Sequence, residues 1–151
     1  ALGVSGTLLA GSLDGHVSPV RVMSPLYLAD VTLAEGAQLA APEGVTDRAA
    51  YVVSGEVSCD GLTAGDGSTL VFAPGAEATV VANRPTRLVW LGGEPVGTRY
   101  LWWNFVATNP DRIESAKARW REGGFTLPPS DDLEFTPLPA DHERPLLTLN
   151  P

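Results

Sequence analysis

Four dipeptides limit what this chain can fold into: Asp14-Gly15, Asp60-Gly61, Asp66-Gly67 and Pro74-Gly75. Each supplies the positive or pre-set φ that a hairpin or tight turn demands. Around them lie short runs rich in β-branched and aromatic residues, Tyr27 to Leu33, Ala50 to Val57, Thr69 to Phe72, Ala78 to Ala82 and Arg87 to Leu91. Short runs of this kind separated by turn signals read as antiparallel strands, and this many of them imply a sandwich, jelly roll or barrel. The 16 glycines and 13 prolines are spread along the chain rather than massed in one tract, which suits many strands joined by tight turns.

Two runs carry finer information. Apolar and polar residues alternate through Ala29-Asp30-Val31-Thr32-Leu33, so one face is expected inside and one in water. Leu88-Val89-Trp90-Leu91 is apolar on both faces and is expected to be covered on both sides.

One helix interrupts the strands, over 108–124. Asn109 suits the cap, Pro110 the first helical position, Asp111 the positive end of the helix dipole, and Gly123-Gly124 the left-handed stop. Ile113, Ala116 and Trp120 then share a face, which docks the helix on the sheet through Trp120. Beyond it, over 125–151, six prolines make a helix or a central strand hard to sustain. That segment is expected to be an extended strap packed along the surface by Leu133, Phe135 and Leu138. With the β-barrel over 1–107, the whole reads as one domain. At 151 residues a compact fold hides roughly 70% of its unfolded surface.

Several function classes are disfavoured. Cys59 is the single cysteine, so no internal disulfide or thiolate cluster forms, and a cytoplasmic location is expected. No charged-then-apolar leader follows Ala1, so no signal peptide is expected. No apolar run approaches the roughly 20 residues that span a bilayer. With 18 acidic against 10 basic residues, the field repels phosphate backbones, and direct nucleic-acid binding is not expected.

Catalytic signatures are equally sparse. There is no GxSxG, CxxC, P-loop or dinucleotide fingerprint. His16 and His142 lie at opposite ends of the chain and read as surface residues without convergent partners. The acidic run Asp131, Asp132 and Glu134 reads as a solvated surface rather than a catalytic pair. No catalytic residue is assigned.

The tract from Gly36 to Asn83 has a glycine framework that resembles the two motifs of the cupin barrel. With Gly36 opening and Gly55 closing the first motif, its metal-ligand positions fall on Pro42, Gly44 and Arg48. With Gly67 and Gly75 in register for the second, the motif's proline slips to Pro74 and the last ligand position becomes Ala78. Proline, glycine and alanine offer no side-chain donor, and an arginine cation repels a divalent metal. The turns persist without the ligands.

The second half is more specific. Gly92-Gly93-Glu94-Pro95-Val96-Gly97-Thr98-Arg99-Tyr100, then Leu101-Trp102-Trp103-Asn104-Phe105-Val106, then the helix, then Glu134-Phe135-Thr136-Pro137-Leu138-Pro139, resemble the carboxyl-terminal cupin half of pirins. Ser18-Pro19-Val20, Ser24-Pro25-Leu26-Tyr27 and Ala50-Tyr51-Val52-Val53-Ser54-Gly55 extend the likeness over nearly the whole chain. The resemblance implies an all-β fold, a cupin-type antiparallel barrel or jelly roll with one C-terminal helix and an extended proline-rich tail. It also implies that iron belongs to an amino-terminal cupin half, whose His and Glu ligands have no counterpart here, so no cofactor is expected in this chain. Pirin-like proteins are associated with metal-dependent quercetin dioxygenation and with transcriptional co-regulation.

Two functions are therefore expected ahead of a third, an enzyme in its own right. The first is a metal-free, structural or interactive half that supports the metal-bearing half of a bicupin, with that half, a second copy or a transcription regulator as partner. The second is a small-molecule barrel with an apolar interior lined by Tyr51, Phe72 or Trp102. In a strand from Tyr100 to Phe105, Trp102 and Trp103 are expected on opposite faces.

Overall fold

The computed structural model describes residues 2–131 and 133–150. The chain falls into two compact units, Ala1–Pro95 and Val96–Pro151.

The first unit contains ten strands: β1 (Val4–Leu13), β2 (His16–Val17), β3 (Leu26–Leu33), β4 (Gln38–Ala40), β5 (Asp47–Ser54), β6 (Glu56–Cys59), β7 (Leu62–Gly65), β8 (Thr69–Phe72), β9 (Thr79–Ala82) and β10 (Thr86–Gly93). They form two antiparallel sheets, ordered β2-β1-β3-β10-β5-β8 and β4-β9-β6-β7. Leu33, Val52, Leu88 and Trp90 of the first sheet share one buried core with Val57, Val80 and Ala82 of the second. Burial of these apolar faces is the main source of stability in such an arrangement.

Four of the five expected runs each fall on one strand, and the fifth spans two. Asp14-Gly15 and Asp60-Gly61 form two-residue hairpin turns with φ of 49° and 78°, and 49° and 79°. The run from Ala50 to Val57 is split by Gly55, which has a φ of 102°. A Cβ there would lie 2.3 Å from Thr86 Oγ1, so only glycine lets the chain leave β5 and enter β6 in the other sheet. Ala29, Val31 and Leu33 are buried while Thr32 is exposed, as the alternation requires.

The expectation for Leu88 to Leu91 needs correction. Leu88 and Trp90 are buried, but Val89 is half-buried and Leu91 is 37% exposed, so the outer face is only partly shielded. β1 went unread because Gly6 and Gly11 interrupt its apolar pattern and a bulge lies between Leu8 and Ala10.

The second unit holds β11 (Arg99–Trp102), β12 (Phe105–Ala107), α1 (Pro110–Arg121) and β13 (Leu147–Leu149). Its sheet is ordered β12-β11-β13. Asn109 caps α1 by accepting from the Arg112 N–H at 3.0 Å, Pro110 opens it, and Gly123 follows it at a φ of 69°. The helix packs against β11 and β12.

Two local expectations fail here. Trp103 is not a strand residue: it occupies the turn between β11 and β12 at a φ of 54°, so the two tryptophans do not face opposite sides of one strand. The strap is not packed through its apolar residues, since Leu133 is 95% and Phe135 68% exposed, and Leu138 alone of the three is half-buried. Prolines do keep strand out of most of the tail, and β13 pairs at the edge of β11. Among the described residues, no helix is long and apolar enough to cross a membrane.

Candidate functional site

The four positions that the motif resemblance sets against cupin metal ligands, Pro42, Gly44, Arg48 and Ala78, gather at one end of the first unit. Gly44, Arg48 and Ala78 line an open cleft of about 710 Å³ together with Glu43 and Glu77. Pro42 lines an adjoining cleft of about 760 Å³ that Trp90 and Glu43 also border.

What fills the centre of this group is the Arg48 side chain. Arg48 stands near the start of β5, where it pairs with Gly92 of β10 and Phe72 of β8, and only 5% of it is exposed. Its Nη1 donates to the Pro42 carbonyl at 3.4 Å, and its Nη2 donates to the carbonyls of Ala73 at 3.0 Å and Ala76 at 2.7 Å. The guanidinium thus ties the loop before β5 to the turn after β8. Among the described residues no carboxylate lies within 4.0 Å of it.

This donor set does not fit a metal. Proline, glycine and alanine present no ligand atom, the guanidinium presents only N–H groups, and a second cation would be repelled at the same point. No group of three or more His, Cys, Asp or Glu side chains positioned for a metal occurs among the described residues.

Tyr27 lies across β10 from Arg48 in the same sheet. Gly92 lies between Tyr27 of β3 and Arg48 of β5 in the strand register. The tyrosine ring crosses Gly92 so closely that a Cβ there would lie 2.6 Å from Cζ and 2.7 Å from Oη. Burial pushes the Tyr27 phenol up to about 12, although the Arg48 cation pulls it the other way. Phe72 packs on Trp90 with ring centroids 5.7 Å apart.

The remaining expected residues are dispersed. His16 is exposed and its Nδ1 lies 3.1 Å from the Asp14 carbonyl; His142 is exposed as well. Asp131 and Glu134 are exposed, and Asp132 lies outside the described residues. Tyr51, expected inside the barrel, is instead 40% exposed because its position in β5 points away from the core side occupied by Ala50 and Val52. Trp102 is buried within the second unit, stacked at 6.3 Å on Phe105.

Sequence reading missed Lys117. It is 5% exposed on α1, bonded to Glu114 at 2.7 Å and to Asp141 at 2.8 Å, with its ammonium above the Trp102 ring. Burial alone would lower its pKa, but the hydrogen bonds it donates to Asp141 and Glu114 outweigh that and raise it. The i,i+3 spacing from Glu114 was readable; the distant Asp141 was not.

The pirin C-terminal cupin domain matches residues 28–126. A pirin-like protein of Caulobacter vibrioides is 42% identical over 137 residues, covering 91% of this chain and 48% of that protein. A Pseudomonas aeruginosa protein provisionally named a quercetin 2,3-dioxygenase is 30% identical over 160 residues, covering 91% of this chain and 45% of that protein. The crystal structure of quercetin 2,3-dioxygenase from Acinetobacter baumannii superposes with a TM-score of 0.79 at 24% identity, over 91% of this chain and 48% of that one. The chain spans about half the length of the curated relatives it matches.

Proposed function

Since this chain belongs to the pirin family and has the fold of its C-terminal cupin domain, we propose that it is a metal-free cupin half whose work is structural and interactive. The observation that carries the reading is the Arg48 guanidinium, bonded to three backbone carbonyls among the positions where a cupin places its metal ligands. A permanent cation on the chain holds the loop before β5 and the turn after β8 together there.

In this reading the partner is a metal-bearing cupin half, with a second copy of the chain as the alternative. The half-length match to relatives supports it, and so do Leu133 and Phe135, which leave apolar surface open to a covering surface. In this reading the quercetin 2,3-dioxygenation for which the Pseudomonas relative is named, and the iron that the resemblance implies, belong to a longer protein rather than to these residues.

Elemental analysis after exhaustive dialysis tests the proposal. Iron, zinc and manganese are expected far below one atom per chain, and flavonol oxidation with added ferrous iron is expected at the metal-only background. About one tightly held metal per chain would overturn the reading. Titration with the metal-bearing half tests the partner, which is expected to bind through at least about 1,000 Å². A chain that stays monomeric and ignores that half would count against it.

A further inference from the structure

The second unit has an open cleft of about 810 Å³ between the last turn of α1 and the segment 125–136. Its apolar wall consists of Trp120, Phe125, Leu127, Leu133 and Phe135. Trp120 and Phe125 are half-buried, with ring centroids 5.5 Å apart, and the Trp120 indole already donates to the Thr136 carbonyl at 2.9 Å. That pair offers an occupant apolar contact and no free donor. Leu127, Leu133 and Phe135 are 46%, 95% and 68% exposed, so the wall continues out to the mouth of the cleft. Exposed apolar side chains gathered around one cleft, rather than scattered singly, mark a surface that something covers.

The charge of the occupant follows from the rim. Glu122, Asp131 and Glu134 line the cleft against Arg121 alone, and all four are exposed. Among the described residues none of the three carboxylates is held in an ion pair. Glu122 is also the C-cap of α1, the end at which the helix dipole is negative. The field in the cleft therefore attracts a cation, and Arg121 offsets only part of it.

The shape separates a polypeptide from a small molecule. Small-molecule sites enclose about 70–90% of their ligand, whereas Leu133 and Phe135 stand in solvent at the mouth and are covered only by something broader than the cleft. Aromatic and apolar anchors inside a charged rim are the anatomy of a protein–protein contact. The net charge of −8 repels nucleic acid and anionic lipid surfaces, which leaves a cationic polypeptide as the fitting partner.

We propose that the cleft between the end of α1 and the segment 125–136 receives a segment of a partner polypeptide whose apolar side chains are flanked by lysine or arginine. The apolar side chains meet Trp120, Leu133 and Phe135, and the cations meet Glu122, Asp131 and Glu134. The inference rests on the reading above in taking Leu133 and Phe135 as part of a covered surface, and adds the chemistry of what covers it.

The test is nuclear magnetic resonance of the Trp120 indole N–H in the full chain, titrated with a blocked peptide of about ten residues that alternates leucine and lysine. The Trp90 indole, buried in the first unit, serves as the reference. A saturable shift of Trp120 with a midpoint of roughly 10–500 µM is expected, weakening as sodium chloride is raised from about 50 to 500 mM. The counterpart peptide with glutamate for every lysine is expected to leave Trp120 unmoved. Glu122→Gln with Asp131→Asn and Glu134→Gln is expected to weaken binding roughly tenfold. Leu133→Ser with Phe135→Ser, at exposed positions that leave the fold intact, is expected to weaken it at least about tenfold, with the backbone amide spectrum reporting the fold of both variants. The proposal is overturned if the lysine peptide leaves Trp120 unmoved, if the glutamate peptide shifts it equally, if Trp90 moves as much as Trp120, or if either variant binds as the parent does. A metal-bearing half that binds the three-carboxylate variant as tightly as the parent, while the peptide fails, would overturn this inference and leave the reading above standing.

Discussion

The Lys117 ammonium lies 4.1 Å from the centroid of the Trp102 ring, held there by carboxylates from its own helix and from the tail. Cation, ring and two anions form one cluster inside the second unit. Glu114 and Asp141 are each 65% exposed, so deleting the lysine leaves carboxylates that water can solvate. Lys117→Ala is therefore expected to cost about 1–2 kcal/mol in urea unfolding, below the cost of stranding a fully buried charge. It should also hasten proteolytic cleavage within 125–146. Hydrogen bonding from Lys117 holds the Asp141 carboxyl below its usual range, so its contribution is present above that range and lost as pH falls through the lowered value.

Trp120 joins the helix to the rest of its unit. Its ring sits 5.3 Å from Trp103 and 5.5 Å from Phe125, and its indole donates to the Thr136 carbonyl at 2.9 Å. It is half-buried rather than buried, which brings the expected cost of Trp120→Ala to about 2–3 kcal/mol. Denaturant titration measures this; a loss below about 1 kcal/mol would mean the aromatic group contributes little.

Tyr27 makes stability fall at alkaline pH. The folded chain holds its phenolic proton to about 12, while the unfolded chain releases it near 10.0. Below 10 both states are protonated and the contribution is complete; between 10 and 12 only the folded state keeps the proton, and stability declines. The decline is expected to reach roughly 2–3 kcal/mol and to disappear in Tyr27→Phe, measured by urea unfolding across that window.

Gly92→Ala is expected to cost about 2 kcal/mol, because the new methyl meets the Tyr27 ring at 2.6 Å. Tyr27→Phe leaves that clash in place, whereas Tyr27→Leu is expected to relieve part of it. A double-mutant cycle gives the coupling, and purely additive losses would contradict the crossing of ring over glycine.

How legible this was depends on the range of the interactions. Turn chemistry is local, so Asp14-Gly15, Asp60-Gly61 and the capping of α1 by Asn109 were readable residue by residue. The absence of ligand-bearing side chains at Pro42, Gly44 and Ala78 was readable too. What the arginine does instead was not, because its partners Ala73 and Ala76 are backbone atoms on a distant turn. Tyr27 meets Arg48 only through the register of three strands, and no single-sequence pattern carries register across Gly92. Trp103 misled because aromatic residues favour strands, while here one takes a left-handed turn position.

The edge position of β13 has a consequence during synthesis. Arg99 of β11 pairs with Leu149, about fifty residues later. The three-stranded sheet therefore cannot close while a ribosome still holds the last stretch of β13, and β11 must wait with one edge unpaired. Every strand of the first unit, by contrast, has its partners within the first 93 residues. Folding on a moving nascent chain thus has a built-in order, with the unit that houses Arg48 and Tyr27 able to assemble first and the sheet of the second unit closing last.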